Sequence, residues 1–285
     1  MRINEFAHTL LLACLWQAAN AQTVDPFYSG SYSITNLGSV TGVPPKYGGM
    51  VFKDANTLWI SGQATSVAGR YYSVPVTRGT DNHIVSLGSG TVLGFGNFSD
   101  GGIAFGPAGV LFYTEYPGNS IGEVRPPNYA ADFKTVALTP LGVGASVGAL
   151  NFVPAGFNGA GQFKVVSLDS NGFYTIPLTP DGIGGYDLGN ATLETTLNTC
   201  ALACGAEGFV YVPLGSPLFT NHPSGNGPLA LSLIFPQQVG APVLNSVVNQ
   251  NISPNASLIV ATPPAPPTPS TQVQVRLGAT GIDGC

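Results

Sequence analysis

The chain has 285 residues, enough for one large all-β domain or two ordinary ones. Charged residues are only 8%, against roughly 25% in a typical soluble protein, while glycine (38) and proline (24) are abundant. The net charge of −5, with nine scattered Lys and Arg, leaves no basic stripe and excludes nucleic acid as an expected partner. A surface of Ser, Thr, Asn, Gln and backbone fits an exported, turn-rich β protein better than a cytosolic enzyme.

Residues 1–21 read as an export signal. Arg2 supplies the positive start, 10–16 the apolar stretch, and Ala19-Asn20-Ala21 the small-x-small cleavage site. The alternative, a lipobox-like Leu11-Leu12-Ala13-Cys14, would leave a very short apolar stretch and is set second. No later stretch is long and apolar enough for a membrane helix. The expected location is therefore secreted, periplasmic or extracellular, with no membrane span once the signal is removed.

Residues 25–47 form an entry segment with one expected strand, 31–40, turned by Val43-Pro44-Pro45. A first strand unit follows: 48–52, a turn at Asp54-Ala55-Asn56, then 57–62. A third strand, 70–77, alternates in period two, and Pro75 predicts that it lies near a sheet edge, because proline cannot donate to a ladder. The stretch 101–124 (GGIAFGPAGVLFYTEYPGNSIGEV) organises the chain. It predicts two short strands around Pro107-Ala108-Gly109 and a third after Pro117-Gly118-Asn119.

The same grammar returns from Gly148, with strands in ALNFVPAG, GQFKVVSL and FYTIPL; Asn171-Gly172 predicts a tight type I′ hairpin turn. It returns again at Glu207-Gly208, FVYVP. A strand unit recurring at this spacing predicts an all-β, β-propeller-like fold. Beyond Phe219 the composition changes. Arg276 is the only Lys, Arg, Asp or Glu between Gly208 and Ile282, and five prolines crowd 263–269. Residues 220–285 are read as a low-charge, Pro-rich irregular tail, although the apolar run 229–235 is a candidate strand.

The segments ITNLGSVTGVPPKYGGMVF, YYSVPVTRGTDNHI, DGGIAFGPAGVLFYTEYPGNSIGEV, SVGALNFVPAGFNGAGQFKVVS and AEGFVYVPLGSPLF, in that order, resemble a family of bacterial exported propeller-like proteins. These often carry an exosortase (PEP-CTERM) sorting tail. The resemblance spans roughly 31–219 and implies NHL- or gluconolactonase-type blades. It implies no activity that can be placed on a residue. The family's sorting tail is absent here, as are further acid-containing blades after Phe219, so the propeller is expected to be incomplete.

Several side chains are candidates for chemistry. Asp100, Asn151 and Glu207, at the start of or within Gly-apolar strands, are placed where propeller sites line a central channel. Carboxylates and an amide converging there would hold Ca²⁺, a hard cation that takes oxygen ligands. Glu207 and Asn151 loosely resemble the metal ligands of gluconolactonase-type propellers; the alternative is that all three serve turns and backbone amides. Cys200 and Cys204 close a small disulfide loop if the compartment is oxidising, a reading set above half a metal site. His83 is a candidate general base or a surface loop residue with no evident acid partner. Tyr71, Tyr72, Tyr113 and Tyr116 are candidates for sugar stacking or for the core. The leading expectation is an exported, non-catalytic binding or surface-associated scaffold for a carbohydrate or cell-surface component; the alternative is a Ca²⁺-dependent lactonase-like or lyase-like enzyme.

Overall fold

The computed structural model describes residues 35–131, 134–155, 157, 159–196 and 205–211, together with three further strands beyond them. Among the described residues the protein is all-β, with single 3₁₀ turns at Pro107–Gly109 and Thr139–Leu141 as the only helix. Among the described residues four larger antiparallel sheets follow one another along the chain, with one two-stranded sheet beside them. The first contains β1 (Met50–Asp54), β2 (Thr57–Gly62), β3 (Arg70–Arg78) and β4 (Ile84–Leu87), with β5 (Thr91–Val92) also on β3. The second is β6 (Ile103–Phe105), β7 (Leu111–Glu115), β8 (Ser120–Val124) and β9 (Lys134–Ala137). The third runs β10 (Val147–Phe152), β11 (Phe163–Ser167), β12 (Gly172–Ile176) and β15 (Thr192–Thr196). Between its last two strands stands a separate hairpin, β13 (Leu178–Pro180) and β14 (Tyr186–Leu188). The fourth is β16 (Gly205–Tyr211), β17 (Pro228–Ile234), β18 (Val247–Asn251) and β19 (Ile259–Ala261). Its last three strands come from the stretch set apart as a tail; 262–285 lie outside the described residues. Among the described residues no helix is long and apolar enough to cross a membrane.

The sheets pack face against face in chain order. Sheet two is buried on both sides, which explains why its strands read as nearly continuous apolar runs. Leu111 and Tyr113 of β7 join Trp59, Tyr71 and Phe95 of the first unit. Phe112, pointing the other way, joins Leu150, Phe163 and Val165 of the third. On the outer side of sheet one, Leu58, Ile60, Val74 and Val76 are covered by Val40 and Val43 of the entry segment. That segment is not the expected strand over its described part, 35–40. Asn36 Oδ1 accepts the Gly38 N–H at 2.8 Å, and Gly38 adopts φ 75°, a local turn that breaks extension.

The first strands of successive sheets meet backbone to backbone. The Gly49 N–H donates to Ser99 O at 3.2 Å, and a Cβ on Gly101 would sit 1.8 Å from Gly148 O. A hydroxyl residue recurs opposite these glycines. The Ser61 N–H donates to Gly49 O and the Thr114 N–H to Gly102 O; Ser167 stands opposite Val147 beside Gly148, and Gly208 pairs with Ser232. Ser61, Thr114 and Ser167 are completely buried. Their hydroxyls tie the end of the second strand to a neighbouring entry segment: Ser61 to Ser99, Thr114 to Gly148 O at 3.4 Å, Ser167 to Ala145 O at 3.0 Å.

Two local expectations change. Pro75 is not at a sheet edge: it pairs with Thr57 and lies where the outer partner of β3 switches from β5 to β4. The missing N–H falls in that gap. The turn at Asn171-Gly172 is longer than a two-residue I′ hairpin, since Val166 pairs with Phe173 and only Asn171 has positive φ, 52°. Gly172 is needed instead for contact: a Cβ there would lie 2.3 Å from the Tyr174 ring.

Candidate functional site

Asp100 stands just before β6, half-buried, and burial holds its carboxyl above the ordinary range. Beside it the Tyr71 phenol is pushed far up by burial, with Ser99 opposing and the Asp100 charge adding. Asn151 lies on β10, and its Oδ1 accepts the N–H of Phe152 at 2.8 Å. Glu207 belongs to β16, and its side chain lies outside the described residues, as do Cys200 and Cys204. No hydrogen bond joins Asp100 to Asn151 among the described residues, and no three His, Cys, Asp or Glu side chains there gather into a metal-sized cluster.

A carboxyl whose folded-state pKa is raised holds its proton more tightly in the fold. Its contribution to stability is therefore complete below the ordinary carboxyl range and is lost as pH rises through the raised value. Asp100→Asn is expected to unfold at higher urea than the parent at pH 7, with the two converging below pH 4. Urea midpoints at pH 3.5, 5 and 7 check this; a variant weaker at pH 7 would mean that the charge is paired.

The structure also places charges that the sequence left unassigned. Lys134 Nζ on β9 lies 3.1 Å from Asp181 Oδ2, 3.2 Å from Asp187 Oδ1 and 3.7 Å from the fully buried Glu123 Oε1. The Glu123 carboxyl is raised by burial, although the Tyr186 N–H and Lys134 oppose this. Burial works against the charge on Asp181, yet the N–H groups of Gly185 and Ile183 and the Lys134 ammonium bring it down to about 2. Burial likewise opposes the Lys134 charge, but its carboxylate partners outweigh it and hold its pKa above the usual value. The group clamps the β13–β14 hairpin to sheet two.

Between sheets three and four, Lys164 is 2% exposed and is held by Glu194 and Thr175. Glu194 Oε2 and the Tyr211 hydroxyl are buried there without a hydrogen-bond partner among the described residues. The Tyr211 phenol is raised by burial and then by the Glu194 charge. The signal in the sequence was a charge inside an apolar strand, as in FKVVS and SIGEV, in a chain with few charges.

His83 does have an acid partner. Its Nδ1 lies 2.8 Å from Asp81 Oδ2, and this hydrogen bond leads the causes that lower the Asp81 pKa. The pairing is not legible in the sequence because a partner two residues away depends on the loop conformation, here with Asn82 at φ 65°. Both side chains stand in solvent. Tyr71 and Tyr113 are fully buried, which removes them as sugar-stacking platforms; Tyr72 and Tyr116 are half-buried. An open groove of about 730 Å³ is bordered by Ala108, Arg125, Pro126, Tyr129 and Ile183.

No family model matches the chain. No curated protein matches it. Among solved structures it is similar to a protein of unknown function from Bacteroides caccae, with 10% identity and a TM-score of 0.40 over 72% of this chain. The match covers 63% of that protein, so the chain spans less than two thirds of its length.

Proposed function

We propose that this chain is an exported, propeller-like, non-catalytic binding or surface-associated scaffold of the bacterial family whose segments it resembles, acting on a cell-surface or carbohydrate component. The observation that carries the reading is the fourfold return of one unit. Each unit is a four-stranded antiparallel path; in three of them a glycine beside or on the first strand meets a hydroxyl residue on the second (Gly49/Ser61, Gly102/Thr114 and Gly208/Ser232), and in the third sheet Ser167 faces Val147 beside Gly148. Repetition of this kind is how propellers build a ring from blades that cannot bury both faces alone. The close backbone approach at Gly49, Gly101 and Gly148 suits strands converging on a common axis.

The test is thermal unfolding of the exported chain, expected to begin at Gln22, with and without millimolar Ca²⁺ and beside a screen of simple lactones. The expected result is an unmoved midpoint and no hydrolysis. A Ca²⁺-dependent rise that Asp100→Asn abolishes, or lactone turnover that depends on Ca²⁺, would replace the scaffold by the enzyme reading, because a ligand bound only by the native state stabilises it.

A further inference from the structure

We propose that Trp59, Phe105 and Tyr129 form an aromatic cage for a quaternary or methylated ammonium of the choline type, occupied in this structure by the chain's own Lys53. This goes beyond the scaffold reading: it needs only the first two sheets and stands whether or not the sheets close into a ring.

The three walls come from separate elements: Trp59 from β2, Phe105 from β6, and Tyr129 from the loop after β8. Their centroids lie 5.5 Å (Trp59–Phe105), 5.1 Å (Trp59–Tyr129) and 6.0 Å (Phe105–Tyr129) apart. The planes are inclined at 53°, 78° and 84°, so the rings enclose a corner instead of stacking. Lys53 Nζ sits 5.2, 5.3 and 4.2 Å from the Trp59, Phe105 and Tyr129 centroids. All three distances fall within the roughly 6 Å over which a ring quadrupole attracts a cation. Among the described residues this ammonium makes no hydrogen bond and no ion pair, so the ring faces are what hold it.

The walls are preorganised, whereas the occupant is not. Trp59 and Tyr129 are 5% and 6% exposed, and their desolvation strengthens cation–π attraction. Tyr129 is held at φ 46°, a left-handed conformation uncommon for a bulky side chain, and its hydroxyl donates to Gly109 O at 2.7 Å. Lys53, by contrast, lies on an exposed stretch of β1 at the end of a flexible stem. An ammonium bearing methyl groups gives up less hydration than a lysine and presents apolar surface to three rings, so it is the better guest for a corner in which the lysine makes no hydrogen bond among the described residues.

The experiment uses the exported chain, expected to begin at Gln22, in which Trp59 is the single tryptophan. Tetramethylammonium and choline are titrated into the Lys53→Ala and Lys53→Met variants; the second keeps the stem without the charge should the first fail to fold. The expected result is a saturable change in Trp59 emission, at least about fivefold weaker in the chain that retains Lys53 and about tenfold weaker when Phe105→Leu is added. The neutral isostere 3,3-dimethylbutan-1-ol is expected to give no saturation. Folded Lys53 variants that show no saturation, or that respond equally to the alcohol, would overturn the proposal. Co-sedimentation with phosphatidylcholine vesicles that Phe105→Leu abolishes would assign the ammonium to a lipid headgroup. Choline binding without vesicle retention would assign it to a free solute.

Discussion

Glu194→Ala is expected to destabilise the protein by about 3–5 kcal/mol, the range for removing one partner of a buried ion pair. Lys164 is 2% exposed and shares its ammonium between Glu194 and Thr175. Without the carboxylate, that charge stays buried between sheets three and four beside one hydroxyl and the Phe173 ring, 5.9 Å away. The opposite change tests the physics. Lys164→Met with Glu194→Leu removes both charges and is expected to restore parental stability or exceed it, since Glu194 Oε2 has no hydrogen-bond partner among the described residues. Urea midpoints at constant slope separate the outcomes. A loss below about 1 kcal/mol for Glu194→Ala, typical of exposed pairs, would mean that water reaches the lysine.

The second large effect belongs to Gly101. In Gly101→Ala the added Cβ would lie 1.8 Å from Gly148 O and 2.3 Å from Thr114 Oγ1. The nearer atom is backbone of the next sheet, so relief requires moving one first strand away from another. The expected cost is about 3 kcal/mol or more, the upper end for overpacking a tight interior. Gly118→Ala is the control. Its nearest atoms, Glu115 O and Ser120 Oγ, would be 3.7 Å from the Cβ, and the change is expected within about 0.5 kcal/mol of neutral. Thermal unfolding of the two variants side by side reads the difference. Equal behaviour would show that the sheets can separate at little cost, removing the support that their close approach lends to a propeller.

Local pattern made much of this fold legible. The alternating stretch 57–62 is β2 residue for residue, and the apolar runs around β6, β7 and β10 are legible together with their turns. The reason is that alternation, β-branching and turn chemistry act within a few residues and need no partner to be read. The same locality limited the reading of Asn171-Gly172, whose turn geometry is governed by strand register and by the Tyr174 ring. It also left β13, β14 and β15 unassigned, because short polar strands acquire their pairing from the sheets they meet.

The candidate site was less legible still. Asp100 stands just before β6 and Asn151 near the end of β10, and no hydrogen bond joins them among the described residues. Asn151 is occupied by the amide of its own neighbour, Phe152. Composition alone determined that charges would be few and the surface largely uncharged, and periodicity determined that the fold would be β. Tertiary structure decided the rest. It brought Asp181 and Asp187, 47 and 53 residues away, to Lys134. It set Lys164 against Glu194 and placed Lys53 over three rings contributed by separate segments. A charge or a ring in a strand specifies its chemistry locally, but its partner depends on which sheet folds down opposite, and that depends on packing along the whole chain.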